Sequence, residues 1–163
     1  MNILYLDFNG VLHDSMVMRN RKRGLYLAKA ERSFFEWMPI LDELLVPYPD
    51  LKIVLSTSWV RAVSFDTAKY DLSPALQERV IGSTFHHPGL SQTAFDTMSR
   101  GLQVLGDVER RKPANWLAID DDAFGWPAAH RHKLVETKPD LGLSDPAAQE
   151  AVRAMLAALS SRE

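Results

Sequence analysis

The sequence predicts an α/β protein built on a mostly parallel sheet with helices on both faces. Three observations carry this. Short apolar runs of strand length alternate with segments whose apolar residues recur at helical spacing. Three of those runs end in side chains that do chemistry, where a parallel sheet places its ligand: Asp7, then Ser56 and Thr57, then Asp120, Asp121 and Asp122. The chain has 163 residues, enough for one hydrophobic core and too few for two, so a single domain over 1–163 is expected.

Residues 2–7 (N-I-L-Y-L-D) form an apolar run read as a strand buried on both faces. Residues 14–33 are polar, with Arg19, Arg21, Lys22 and Arg23 close together; they read as an irregular loop or a small flap over the site. From 34 to 46, Phe34, Phe35, Met38, Leu41, Leu44 and Leu45 fall at helical spacing, and Pro47 and Pro49 stop that helix. L-K-I-V-L-S-T-S-W (51–59) is a second strand running into hydroxyls and a Trp, followed by a helix over 60–70. A third strand is expected over 79–83 and a loop over 85–89. Ser99 suits the cap of a helix from Arg100 to Arg111. W-L-A-I-D-D-D (116–122) is a fourth strand ending in three carboxylates, and 133–137 a fifth. Residues 146–159 are an amphipathic Ala/Leu helix with Asp145 or Ser144 as cap and Pro146 in its first turn.

Composition removes several function classes. The net charge of −2 excludes a polycation that coats nucleic acid with its whole surface, though a local basic patch stays open. Cysteine is absent, which excludes disulfides, thiol catalysis and cysteine-ligated zinc. No basic leader precedes an apolar stretch, and no apolar run approaches the roughly 20 residues that cross a bilayer. A cytoplasmic protein with no membrane partner is expected. Repeats and low-complexity tracts are absent.

The three strand ends suit one chemistry together. A carboxylate can act as nucleophile or metal ligand, and further carboxylates complete an oxygen-rich site for a hard divalent ion. Mg²⁺ takes a few carboxylates, waters and phosphate oxygens. A hydroxyl can donate to a phosphate oxygen, and a nearby cation balances the remaining charge. D-F-N-G-V-L resembles motif I of the haloacid dehalogenase-like (HAD) superfamily, whose phosphatase form is D-x-D-G-T/V. L-S-T-S-W resembles motif II and I-D-D-D resembles motif IV. The three stand in the family's order, and T-S-W, S-R-G and W-L-A-I-D-D-D are similar to the HAD domains associated with Swiss Army Knife RNA-repair proteins.

The resemblance implies a Rossmann-like three-layer α/β/α fold with a minimal cap, and an open site taking bulky phosphorylated substrates, a nucleic-acid end among them. It makes Asp7 the nucleophile that becomes an aspartyl-phosphate, and a ligand of Mg²⁺ with the Asn9 carbonyl and Asp121; Asp120 and Asp122 ligate through water or orient it. It gives Thr57 the motif II hydroxyl, with Ser56 or Ser58 as neighbouring registers, and places Gly10 and Ser58 beside the substrate. Arg100 fills the motif III role of holding phosphate, with Lys112 second. Phe85, His86, His87 and Trp59 are expected as stacking groups at the rim, and the Arg19–Arg23 cluster suits a polyanion. A receiver-type signalling domain is disfavoured, because its acceptor Asp would stand where Ser56, Thr57 and Ser58 are.

Asn9 departs from the motif. The family places there an Asp that protonates the leaving oxygen, and an amide cannot. A slow phosphatase, transfer to a good leaving group, a binding-only relative, or an engineered or deamidation-prone Asn-Gly site each accommodate this, as does replacement of the acid by His13 or Asp14.

Overall fold

The computed structural model describes residues 1–85 and 91–161. Seven strands are present among them: β1 (Asn2–Leu6), β2 (Val17–Asn20), β3 (Gly24–Leu27), β4 (Lys52–Leu55), β5 (Val80–Ser83), β6 (Asn115–Asp120) and β7 (Leu134–Glu136). The helices are α1 (Met38–Leu45), α2 (Trp59–Ala62), α3 (Phe65–Tyr70), α4 (Pro74–Gln77), α5 (Gln92–Asp96), α6 (Arg100–Arg111) and α7 (Pro146–Ser160). Five strands make one sheet in the order β5-β4-β1-β6-β7, and every pairing in it is parallel. The first strand of the chain therefore lies at the centre, bonded on both sides.

Strand periodicity divides the core in two. Leu4, Leu6, Ile53, Leu55, Leu117 and Ile119 face the layer of α1 and α7, meeting Leu41, Leu45, Val152 and Leu156. Ile3, Tyr5, Val54, Trp116 and Ala118 face the opposite side, with Val104 of α6. This is the expected three-layer α/β/α arrangement.

α6 is fastened by polar groups as well as by packing. Its buried Asp107 accepts from the Tyr5 hydroxyl at 2.9 Å and from Arg111 Nε at 2.8 Å, and also from Arg110. At the other end of the helix the Ser99 hydroxyl accepts from Leu102 N–H, the cap expected from the sequence. Asp145 caps α7 through the Ala147 N–H, with Pro146 in the first turn.

Several boundaries differ from expectation, each for a local reason. The 14–33 segment contains an antiparallel hairpin, β2–β3, carrying the exposed Arg19, Arg21, Lys22 and Arg23; the Arg23 guanidinium sits 4.1 Å over the Tyr26 ring. α1 begins four residues late because Phe35 takes a positive φ of 58°, outside helical geometry. The helix expected over 60–70 breaks at Ser64, whose hydroxyl caps α3. The short helices α4 and α5, started by Ser73 and Ser91, are too brief to show a 3.6-residue period. The predicted loop at 85–89 falls mostly on residues 86–90, outside the described residues.

Arg79 fastens the end of α1 to the start of β5. Its guanidinium donates to the carbonyls of Leu45 (3.0 Å), Tyr48 (2.5 Å) and Leu51 (3.1 Å). These carbonyls belong to the terminus of α1 and the turn after it, where no intrahelical donor exists. Arg79→Ala is expected to destabilise the protein by about 2–3 kcal/mol, read as a lower urea midpoint at unchanged slope.

Candidate active site

The backbone ladder brings three strand ends to one level. Asp7 N–H donates to the Ile119 carbonyl at 3.1 Å, Ser56 N–H to Leu6 at 2.8 Å, and Thr137 N–H to Asp120 at 3.0 Å. The alternation that points Ile3 and Tyr5 toward α6 points Asp7 there too, and does the same for Ser56 after Val54 and Asp120 after Ala118. The first turn of α6 meets them with Arg100. Its Nε lies 3.4 Å from Asp120 Oδ2 and its Nη1 3.8 Å from Asp7 Oδ1, and Nη1 also donates to the Ser56 carbonyl. Carboxylate oxygens of Asp7, Asp120 and Asp121 all lie within 4.8 Å of one another.

After Asp7 the chain turns sharply. The Phe8 carbonyl accepts from Val11 N–H (3.1 Å) and Leu12 N–H (2.9 Å), and Gly10 N–H donates to His13 O at 2.8 Å. Gly10 has a φ of 76°, and a Cβ there would overlap the Asp121 carboxylate. Gly10 thus lets the acidic turn approach the loop that follows Asp7. Distant segments pin that loop: the Thr137 hydroxyl donates to Gly10 O at 2.6 Å, Leu143 N–H to Val11 O at 3.0 Å, and Ser15 N–H to Pro139 O at 3.0 Å. Sequence reading missed Thr137; its one signal was a hydroxyl at the end of the last strand.

The Asn9 side chain is held by two donors. Trp59 Nε1–H and His13 Nε2 each lie 2.8 Å from its Oδ1, and Phe35 N–H donates to His13 Nδ1 at 3.2 Å. His13 has both ring nitrogens engaged, and Asp14 is paired with Lys29 Nζ at 2.8 Å. Neither is free to stand in for a missing acid. Thr57 is buried, and its Oγ1 accepts from Trp59 N–H at 3.3 Å, which leaves its own hydrogen to donate. Ser58 is half-buried beside it. The buried Ser56 hydroxyl has no hydrogen-bond partner among the described residues.

Two expectations are corrected. Lys112 is exposed at the far terminus of α6, a 12-residue helix about 18 Å long, so the helix that brings Arg100 in carries Lys112 away. Trp59 is not at the rim: it is 5% exposed, packed with Phe8, Phe34 and Phe35 at 5.3–5.7 Å between ring centroids. Phe85 is half-buried against Phe95, and His86 and His87 lie outside the described residues. An open pocket of about 450 Å³ adjoins Arg100, lined also by Arg61, Asp96, Gln103, Asp122 and the 87%-exposed Phe124.

A family model described as the HAD domain in Swiss Army Knife RNA repair proteins matches residues 3–148. The chain belongs to this HAD family. No curated protein and no solved structure matches it. The match spans every strand end described above, and no helix among the described residues is long and apolar enough to cross a membrane. The HAD superfamily generally uses Mg²⁺, and the acid cluster of this HAD domain fits such an ion.

The electrostatics explain the fit. Burial pushes the Asp7 carboxyl up, against the pull of Arg100. Burial and then the charge of Asp7 push Asp120 well above the ordinary carboxylate range. The same two causes raise Asp121 to about 7. Desolvation disfavours the charged Arg100, but the surrounding carboxylates outweigh it and hold the guanidinium protonated. Among the described residues Arg100 is the cation paired with these acids, and a divalent ion would supply further positive charge.

The sign of the pH dependence follows. Folded Asp121 keeps a proton that the unfolded chain releases near 3.8, so its contribution to stability is full below that value and declines as pH rises to about 7. His13, lowered by burial from 6.5 to about 4, acts oppositely, losing stability as pH falls through that window. An Asp121→Asn variant keeps the His13 contribution and removes the other. In metal-free buffer it is expected to melt a few degrees above wild type at pH 8 and level with it at pH 4. Added Mg²⁺ is expected to raise the wild-type melting temperature at pH 8 and to leave the variant nearly unmoved.

Proposed function

We propose that this HAD domain is a magnesium-dependent phosphohydrolase acting through an aspartyl-phosphate on Asp7. The observation that supports this best is the meeting of Asp7, Asp120 and Asp121 within 4.8 Å under the Arg100 guanidinium, at the carboxyl edge of a parallel sheet. Asp7, the Asn9 carbonyl and Asp121 would hold Mg²⁺, with Asp120 contributing directly or through water. Bound there, the ion offsets the carboxylates and draws charge from the phosphoryl oxygens.

The chain's own groups supply the rest. An Asp7 carboxylate oxygen attacks phosphorus, and the bond from phosphorus to the leaving oxygen breaks. Arg100 and the hydroxyls of Thr57 and Ser58 hold the phosphoryl oxygens, which makes the attack effectively intramolecular. Water then attacks the acyl phosphate, regenerating Asp7 and releasing phosphate.

The substrate carries a phosphate and enters from an open edge. A nucleic-acid end is our candidate: the exposed Arg19, Arg21, Lys22 and Arg23 stand on the hairpin that follows the nucleophile loop, and the family model is named for RNA repair proteins. Asn9 favours one second reading, in which the same site binds a phosphorylated end or a protein partner without turnover.

An activated aryl phosphate separates the two. Hydrolysis is expected with Mg²⁺, lost on chelation and abolished in Asp7→Asn. Arg100→Ala is expected to lower turnover by about 10²–10³-fold. Clean wild-type protein that hydrolyses nothing with any divalent metal would leave the binding reading in its place.

A further inference from the structure

Asn9 is the chain's departure from the two-aspartate motif, yet its side chain is among the most firmly oriented polar groups of the site. An indole N–H only donates, so the atom 2.8 Å from Trp59 Nε1 is the amide oxygen. His13 Nδ1 accepts from Phe35 N–H, so the ring hydrogen sits on Nε2 and points at the same oxygen. Both rings are themselves held. His13 is fully buried, with Phe34 and Phe35 edge-on at 5.1 Å between centroids, and Trp59 packs on the same two rings at 5.3 Å. The carboxamide therefore has one orientation.

Its NH₂ faces the other way. Asn9 is half-buried between the buried Phe8 and Gly10, and its Nδ2 has no partner among the described residues and is not a buried unpaired atom. Two fixed N–H donors thus reach solvent two residues from Asp7. Of the other proton sources close by, His13 is engaged through both nitrogens and Asp14 with Lys29, and the proposed cation would occupy the Asp120 and Asp121 carboxylates.

We infer that Trp59 and His13 are positioning residues that make Asn9 a fixed hydrogen-bond donor, suiting the site to phosphates whose leaving group departs as a stable anion: phosphoanhydrides and aryl phosphates rather than alkyl monoesters. This rests on the phosphohydrolase reading above. The Asp7 oxygen bonds to phosphorus, the phosphorus–oxygen bond to the leaving group breaks, and both electrons go with that oxygen. The Asn9 N–H groups stabilise its charge without surrendering a proton. In the second step water replaces Asp7 on phosphorus, and its proton passes to solvent.

The test is a series of aryl phosphates graded in leaving-group acidity, run beside inorganic pyrophosphate and glycerol phosphate, all with Mg²⁺. Wild-type rates are expected to fall steeply along the series, with glycerol phosphate slower than nitrophenyl phosphate by about 10²-fold or more, the usual worth of an absent general acid. Asn9→Asp keeps an acceptor for both rings and is expected to flatten the series, raising the alkyl ester most. Trp59→Phe is expected to steepen it at unchanged KM, whereas a uniform loss would mark Trp59 as structural only and overturn its positioning role. A flat wild-type series overturns the leaving-group inference and leaves the phosphohydrolase standing; no turnover of any ester removes both. Should Trp59→Phe not fold, ¹⁵N-labelled wild type decides. The Asn9 amide resonances, assigned by their loss in Asn9→Asp, are expected to shift when Mg²⁺ and beryllium fluoride bind, and unmoved resonances overturn the donor role.

Discussion

Two buried carboxylates and a half-buried third, gathered beside one guanidinium, set the terms for everything around them. Like charges at such separations repel strongly in a low-dielectric setting, so the site persists only because the surrounding structure forces the approach. The forcing is visible at each contributor. Asp7 and Asp120 are fixed by ladder hydrogen bonds of adjacent parallel strands, which leave the backbone no slack. Asp121 comes in against the bare α-carbon of Gly10. Arg100 is aimed by a helix capped at Ser99 and tied to the central strand by the Tyr5–Asp107 hydrogen bond near its other end. Stability is given up at the acids and recovered in the two apolar layers beneath them.

The aromatic group behind Asn9 solves a different problem. Phe8, His13, Phe34, Phe35 and Trp59 form a dry wall next to a highly charged site, and the wall's two N–H groups both point at one amide oxygen. A buried imidazole and a buried indole each need a partner for a polar atom, and Asn9 satisfies both. This is why position 9 reads as an odd member of its motif in the sequence and as a well-determined one in the fold. The neighbours that give it meaning are 4 and 50 residues away.

Much of this was legible in the sequence, for identifiable reasons. The apolar runs ending at Asp7, Ser56 and Asp120 are buried on both faces, so they stand out without any partner being known. Ser99 before Arg100 and Asp145 before Pro146 are local signals and held. What stayed hidden depends on third dimensions. Trp59 looked like a rim residue because nothing local says that Phe34 and Phe35 enclose it. Lys112 looked usable until the direction of α6 placed it at the wrong end. Thr137 contributes through a hydrogen bond spanning 127 residues, which no window on the sequence could reveal. The hairpin lacked an Asn-Gly or Asp-Gly turn, the strongest short-range hairpin signal.

The fastenings of the loop after Asp7 also have a meaning in time. Gly10 is synthesised 127 residues before Thr137, and Pro139 and Leu143, which also restrain this loop, come later still. Domains made from the N-terminus forward acquire such long-range contacts only when the late segment arrives. A nascent chain therefore carries Asp7 through that interval with the loop after it lacking these restraints. A chain that stops before Thr137 keeps Asp7 and its strand but lacks the hydrogen bonds that fasten the turn after it.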